Sequence, residues 1–288
     1  MMMMKTMRVG FVAGLLLAAA VSARAQLAEP NAVGVAMGHL HYIVRDVDAN
    51  EKFWVALGGT ARDSRDAHVV AFPDVLVFLT QGSPSAGSNG SVVNHVAFKV
   101  PSFAAVEKSG LKVTRLAQFP GVGSVTSPEG ERIELFEETS ENLVFTLDPG
   151  VTSASARRHQ EKMTVPIVVH HIHFNVPKGS EQQAKEWYTR AFGGATGKRW
   201  HYEATDLPGI NLNFSDSDRP VAPTRGRMLD HIGFEVVNLE AFCRKLEAQG
   251  IRLDAPYAKQ ADGVATARLT DPWGTSIELT EGLRRTTR

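Results

Sequence analysis

One short pattern recurs along this chain, and its recurrence restricts the fold more than composition does. His39-Leu40-His41-Tyr42-Ile43-Val44 returns as His171-Ile172-His173-Phe174-Asn175-Val176, an offset of 132. Phe53-Trp54 followed by Gly58-Gly59 returns as Trp187-Tyr188 followed by Gly193-Gly194. His95-Val96-Ala97-Phe98-Lys99-Val100 returns as His231-Ile232-Gly233-Phe234-Glu235-Val236, an offset of 136. Pro128-Glu129-Gly130 with Ile133-Glu134-Leu135 returns as Pro272-Trp273-Gly274 with Ile277-Glu278-Leu279, an offset of 144. The order is kept and the offset only grows, as a duplication with loop insertions produces. Inside each half a weaker repeat appears: a strand opening on His, then a helix, then short strands. The chain therefore reads as an α+β protein of four βαβββ modules, tandemly paired.

Local punctuation sets the boundaries. Asp48 is a candidate cap for a helix ending at Gly58-Gly59, and Ser180 with Gln183 forms a capping box for one ending at Gly193-Gly194. Ser102 and Asn238 are further N-cap candidates, with Gly110 and Gly250 in the stop positions. Gly82 to Ser91 and Ser215 to Arg227 read as loops. The resulting division is a first domain over 36–138 (modules 36–81 and 92–138), a linker over 139–165, and a second domain over 166–282 (modules 166–215 and 228–282). A short helix is expected in the linker near Ala154 to Lys162.

Lys5 and Arg8 precede an apolar run from Val9 to Val21 that is short for a bilayer span, and Ala23-Arg24-Ala25 supplies a small-x-small cleavage pattern. Residues 1–25 thus read as a signal peptide, with export to a bacterial periplasm or beyond the cell. Its removal takes three basic residues and no acid from a chain with 31 of each, leaving 28 against 31. That mildly acidic balance, with no Lys/Arg cluster beyond Arg284, Arg285 and Arg288, gives no electrostatic reason for nucleic acid or a membrane as partner. Cys243 is the only cysteine, so no intrachain disulfide forms and packed cores must supply stability.

The two-residue period of a strand splits the opening strands into faces. Val96, Phe98 and Val100 share one face, as do Ile232, Phe234 and Val236, and these faces suit packing under helices. The opposite faces carry His39 with His41, His171 with His173, His95 beside small Ala97, and His231 beside Gly233. On the closing strands Ile133 and Leu135 turn Glu134 away from the core, and Ile277 and Leu279 do the same for Glu278. Two imidazoles and a carboxylate on one surface form a mixed N/O set suited to Fe, Mn, Zn, Ni or Co, with positions left open for a ligand.

In these strands, helices and closing turns the chain resembles the vicinal oxygen chelate superfamily, which includes glyoxalase I, bleomycin-resistance proteins, fosfomycin-resistance enzymes and extradiol dioxygenases. The resemblance covers nearly all of the chain after residue 25. It implies two cup-shaped mixed sheets with helices outside, each cup drawing metal ligands from the first strand of each of its modules and the last strand of the second. Carried onto this chain with neighbouring modules paired, it implies one divalent metal per domain, held by His39, His95 and Glu134 in the first and by His171, His231 and Glu278 in the second. Val75 to Leu79 and Ile210 to Phe214 offer no carboxylate as a fourth ligand, so the three-ligand arrangement is the one matched. The His and Tyr that family dioxygenases place ahead of the closing Asp-Pro turn are missing from Gly263 to Thr270, which disfavours catechol cleavage unless His173 or His201 substitutes.

The expected function is metal-dependent lyase, isomerase or dioxygenase-type chemistry on a small oxygen-chelating molecule, with Glu134 or Glu278 as a proton-moving catalytic group. The alternative is a non-catalytic binding or sequestering protein of the bleomycin-resistance type. His41 and His173 read either as catalytic groups or as residues that orient the ligands. Trp200, Tyr202, Phe214 and Trp273 are candidate wall residues, and the cups complete either within one chain or across a homodimer.

Overall fold

A computed structural model describes residues 26–286 except 63–66 and 142–143; the expected signal peptide lies outside the described residues. The first module is β1 (Val35–Val44), α1 (Val47–Ala56), β2 (Thr60–Arg62), β3 (His68–Phe72) and β4 (Val75–Gln81). The second is β5 (Val93–Val100), α2 (Phe103–Glu107), β6 (Thr114–Arg115), β7 (Val122–Thr126) and β8 (Arg132–Glu137). A connection follows, with β9 (Phe145–Leu147) and a 3-10 turn over Ser155–His159. The third module is β10 (Val168–Pro177), α3 (Glu181–Phe192), β11 (Ala195–Arg199), β12 (Tyr202–Leu207) and β13 (Ile210–Ser217). The fourth is β14 (Leu229–Val236), α4 (Leu239–Ala248), β15 (Leu253–Lys259), β16 (Ala265–Thr270) and β17 (Ser276–Glu281), with α5 (Leu283–Thr286) behind it. No described helix is long and apolar enough to cross a membrane.

The helix stops fall on glycine, with Gly58, Gly110, Gly193 and Gly250 all at positive φ. Ser102 and Asn238 cap as expected, accepting from the backbone N–H groups of Ala105 and Ala241. Asp46 rather than Asp48 caps α1, taking the Ala49 N–H at 2.9 Å, while Asp48 sits in the first turn, where a negative charge suits the helix dipole. Ser180 starts α3 but makes no side-chain cap bond.

The modules do not pair with their sequence neighbours. One eight-stranded sheet runs β15-β16-β17-β14-β1-β4-β3-β2, joining the first and fourth modules, and a nine-stranded sheet runs β6-β7-β8-β5-β10-β13-β12-β11-β9, joining the second and third. The seams are the antiparallel pairs β1 with β14 and β5 with β10. We call these the outer and inner sheets. All four opening strands carry the same alternation, so neighbour pairing satisfies the pattern equally well; the connections decide. Residues 82–92 and 218–228 both cross from one sheet to the other, and they run side by side, bonded through Ser85 N–H to Gly226 O, Val92 N–H to Ala222 O and Met228 N–H to Ala86 O. Arg227 adds donors to the carbonyls of Gly87 and Asn89.

The sequence-adjacent modules instead share a core. A single apolar cluster spans both sheets. Trp54 of α1 packs on Phe72 of its own module and on Phe98 of the second, and Phe192 of α3 packs on Phe234 of the fourth. The repeated closing turns fasten these contacts. Glu129 accepts from the Arg45 and Asp46 N–H groups and the Asn50 side chain at the start of α1, and Asp271 accepts from the Tyr188 hydroxyl on α3 at 2.7 Å.

The expected linker is part of the inner sheet rather than a free tether. β9 pairs with β11, and the 3-10 turn, near where the sequence predicts a helix, lays Arg158 and His159 over β12. There Asp206, with its side chain fully buried, accepts two bonds from Arg158 (2.7 and 2.9 Å), one from His159 Nε2 (2.7 Å) and one from Asn211 (2.9 Å). Burial opposes its charge, yet Arg158 and His159 hold Asp206 well below the usual carboxylate range. Desolvation lowers His159 to about 3.

Two outcomes follow for stability. Asp206→Ala strips a buried network of its only anion and should cost about 3–5 kcal/mol, read as a lower urea midpoint. A histidine neutral when folded but titrating near 6.5 when unfolded contributes stability that is complete above pH 6.5 and is lost as pH falls toward 3, by up to about 1.4 kcal/mol per pH unit. The midpoint should therefore fall as pH drops below 6.5, with a shallower slope in His159→Gln.

Candidate functional site

Strand register builds both sites. On the outer sheet Glu278 of β17, Gly233 of β14 and His39 of β1 stand in one row, with His231 and His41 in the next. On the inner sheet Glu134 of β8, Ala97 of β5 and His171 of β10 stand in one row, with His95 and His173 in the next. All six predicted ligands lie in these two clusters, but regrouped. His39 meets His231 and Glu278, while His95 meets His171 and Glu134. The sets His39, His95, Glu134 and His171, His231, Glu278 do not form, because the seams join β1 to β14 and β5 to β10.

In the outer site Glu278 Oε2 lies 3.2 Å from His39 Nε2 and 3.6 Å from His231 Nε2. Asp230 Oδ1 accepts from His231 Nδ1 at 2.7 Å. That bond places the ring proton on Nδ1 and turns the Nε2 lone pair inward, and among the described residues this buried Nε2 has no hydrogen-bond partner. Arg268 of the neighbouring β16 donates Nε and Nη2 to Glu278 Oε1, both at 2.8 Å. The small residue beside His231 has a specific use: a Cβ on Gly233 would fall inside the His39 ring, so glycine opens the lane by which that ring reaches Glu278. His41 stacks on His231 at 4.5 Å and bonds Thr80 Oγ1 at 2.8 Å, and Phe78 packs edge-on against His39.

Electrostatics follows from this packing. Burial lowers His39 and brings His41 to about 3, so both rings are neutral. Burial would lower His231 too, but Asp230 and Glu278 carry it above its ordinary value. Glu278 is pushed up by burial and more strongly down by His231 and His39, which keeps it ionised. A buried carboxylate faced by two imidazole Nε2 atoms, in a place where protonation of His231 is favoured, is a donor set in which a divalent cation would replace that proton, and these residues fit one.

The inner site has the same three residue types with the short and long contacts exchanged: Glu134 Oε2 lies 3.0 Å from His95 Nε2, the equivalent of His231, and 3.6 Å from His171 Nε2, the equivalent of His39. Arg132 replaces Arg268 as the cation on Oε1 but comes from the carboxylate's own strand, at 3.3 Å. Glu134 is raised by burial yet lowered overall by His95 and Arg132. His171 and His173 lie well below the usual imidazole range because of burial. His173 stacks on His95 at 4.9 Å and bonds Ser215 at 2.8 Å, as His41 does with His231 and Thr80. Above this floor a cavity is walled by Leu116, Phe119, Val122, Phe136, Trp200 and Tyr202, and Asn213 Oδ1 is buried there with no hydrogen-bond partner among the described residues. Of the four aromatics singled out as walls, Trp200 and Tyr202 line this cavity. Phe214 packs in the core against Phe174 and Tyr188, and Trp273 sits edge-on to Trp187.

Sequence reasoning passed over Asp230, Asn94, Arg132, Arg268, His170 and Arg199. Asp230 and Asn94 had a signal, since each directly precedes a repeated His. The two arginines on the glutamates stand at unrelated repeat positions, so no repeat argument finds them.

Residues 168–279 match the family described as the Glyoxalase/Bleomycin resistance protein/Dioxygenase superfamily. Among solved structures, glyoxalase I from Zea mays is 15% identical with a TM-score of 0.62, over 88% of this chain and 94% of that one. A candidate dioxygenase from Bacillus subtilis is 14% identical with a TM-score of 0.60, over 91% of each chain. At these identities the likeness is one of fold. No curated protein matches the chain by sequence. The family match over residues 168–279 falls in the C-terminal half, and the four βαβββ modules closing two cupped sheets give the whole chain the fold of these structures.

Proposed function

We propose that this chain is an exported metal-dependent enzyme acting on a small oxygen-chelating substrate at the outer site. One observation carries the reading: His231, oriented by Asp230, aims an unpartnered Nε2 at the same carboxylate oxygen that His39 Nε2 faces. His39, His231 and Glu278 would hold the metal. Bound there, a divalent cation supplies Lewis-acid polarisation of a chelated oxygen and charge stabilisation of an enolate or oxyanion.

The remaining parts belong to the protein. Asp230 holds the His231 ring in its donor orientation. Arg268 occupies Glu278 Oε1 and leaves Oε2 as the inward oxygen, and with the two imidazoles it keeps the carboxylate ionised. That state suits Glu278 better as ligand than as proton carrier. His41, neutral and stacked on His231, sets a third imidazole at the rim, as a hydrogen-bonding group for bound substrate. Export rests on the cleavable pattern of residues 1–25.

Metal analysis of the purified protein is the test. Asp230→Ala should weaken metal affinity by about 10–100-fold, as loss of an orienting carboxylate does. His39→Ala and His231→Ala should abolish outer-site binding with the circular dichroism spectrum preserved. Gly233→Ala, which displaces the His39 ring, should do the same without touching any ligand. Unchanged affinity in His231→Ala would overturn the assignment. The substrate class is then sought by screening hydroxamates, catechols and α-hydroxyketones for binding to, and turnover by, the metal-loaded protein.

A further inference from the structure

The two sites share their residue types, but the short contact to the glutamate is made by His39 of β1 in the outer site and by His95 of β5 in the inner. The β1 and β10 histidines also differ in their second nitrogen. Both strands carry a register irregularity at the same place, between Met37 and His39 and between Val169 and His171. The residue inside it is Gly38 in one and His170 in the other, 132 apart like the flanking repeat. In the outer site His39 Nε2 faces the Glu278 carboxylate at 3.2 Å, and among the described residues its buried Nδ1 has no partner, so nothing opposes transfer of the ring proton to Nδ1 when a cation takes Nε2. In the inner site His171 Nδ1 faces His170 Nδ1 at 2.8 Å.

Arg199 decides where that proton lies. Its Nη1 is 2.9 Å from His170 Nε2, and its Nη2 is 3.2 Å from His159 Nδ1. A guanidinium only donates. His170 Nε2 must therefore carry a lone pair, which leaves the single proton of a neutral His170 on Nδ1, donated to His171 Nδ1. His171 then accepts at Nδ1 and bears its own proton on Nε2, directed at Glu134 Oε2. The reverse direction would leave His170 without any ring proton. Arg199 is itself held: Asn211 accepts from its Nε, and His159 is fixed by donating Nε2–H to Asp206, so its Nδ1 is already an acceptor. All of these side chains are buried.

We propose that Arg199 and His170 are positioning residues that hold His171 in its Nε2–H form, making the inner site a metal-free hydrogen-bonding site and leaving the chain with one metal, in the outer site. Metal binding needs a bare lone pair on each imidazole. The inner cluster presents an N–H instead, and a cation entering it would have to break the Arg199–His170 bond in a buried network. What the inner cavity offers a small molecule is the His171 Nε2–H donor, the Glu134 carboxylate and the unpartnered Asn213 Oδ1.

Two measurements test this. Long-range proton–nitrogen correlation of the apo protein reads the tautomer directly, and His171 should carry its proton on Nε2. Dialysis against excess Zn2+ followed by elemental analysis should find one Zn2+ per wild-type chain, kept in His95→Ala and lost in His231→Ala. His170→Leu removes the donor to His171 Nδ1, and its stoichiometry should rise to two. A second wild-type equivalent that disappears in His95→Ala overturns the proposal. So does an Nδ1–H tautomer at His171, or a folded His170→Leu chain that still takes one. If the wild type binds no Zn2+, the outer-site function fails on its own, and the tautomer decides the inner-site inference independently; it also decides if His170→Leu does not fold.

Discussion

The antiparallel seams between β1 and β14 and between β5 and β10 are the interactions on which the rest of the molecule depends. Each seam sets a register, and each register places a carboxylate, a small residue and a histidine in one row across three strands. A shift of one residue would send every histidine to the opposite face, into the apolar core. The same alternation that buries Leu40, Val96, Ile172 and Ile232 under the helices therefore sets the imidazoles on the concave side.

The seams also explain how modules adjacent in sequence stay together without sharing a sheet. They meet through helices and closing turns, where Glu129 and Asp271 satisfy backbone or hydroxyl donors of the preceding module. The protein is thus two sheets crossed by two halves, and each half contributes to both sites.

The sites have diverged from one template. Oriented histidines, glutamates and stacked second histidines remain in both, yet the arginine on each glutamate comes from a different strand, and only the inner site has a histidine in the bulge and a buried Arg199 behind it. Desolvation makes that difference matter: in a buried cluster a hydrogen-bond direction cannot be exchanged cheaply with water, so one guanidinium dictates tautomers two rings away.

The sequence by itself determined the paired βαβββ pattern and the side of each strand on which His39, His95, Glu134, His171, His231 and Glu278 stand, because period-two alternation and glycine stops are local properties of the chain. It did not contain which modules pair, since the four opening strands are interchangeable by pattern and the choice rests on contacts between loops 82–92 and 218–228, some 135 residues apart. It did not contain the bulge at His170 either, or the reach of Arg199 to that ring. Partner choice among equivalent strands and the direction of a buried hydrogen bond are long-range facts, settled only when distant segments exclude water from one another.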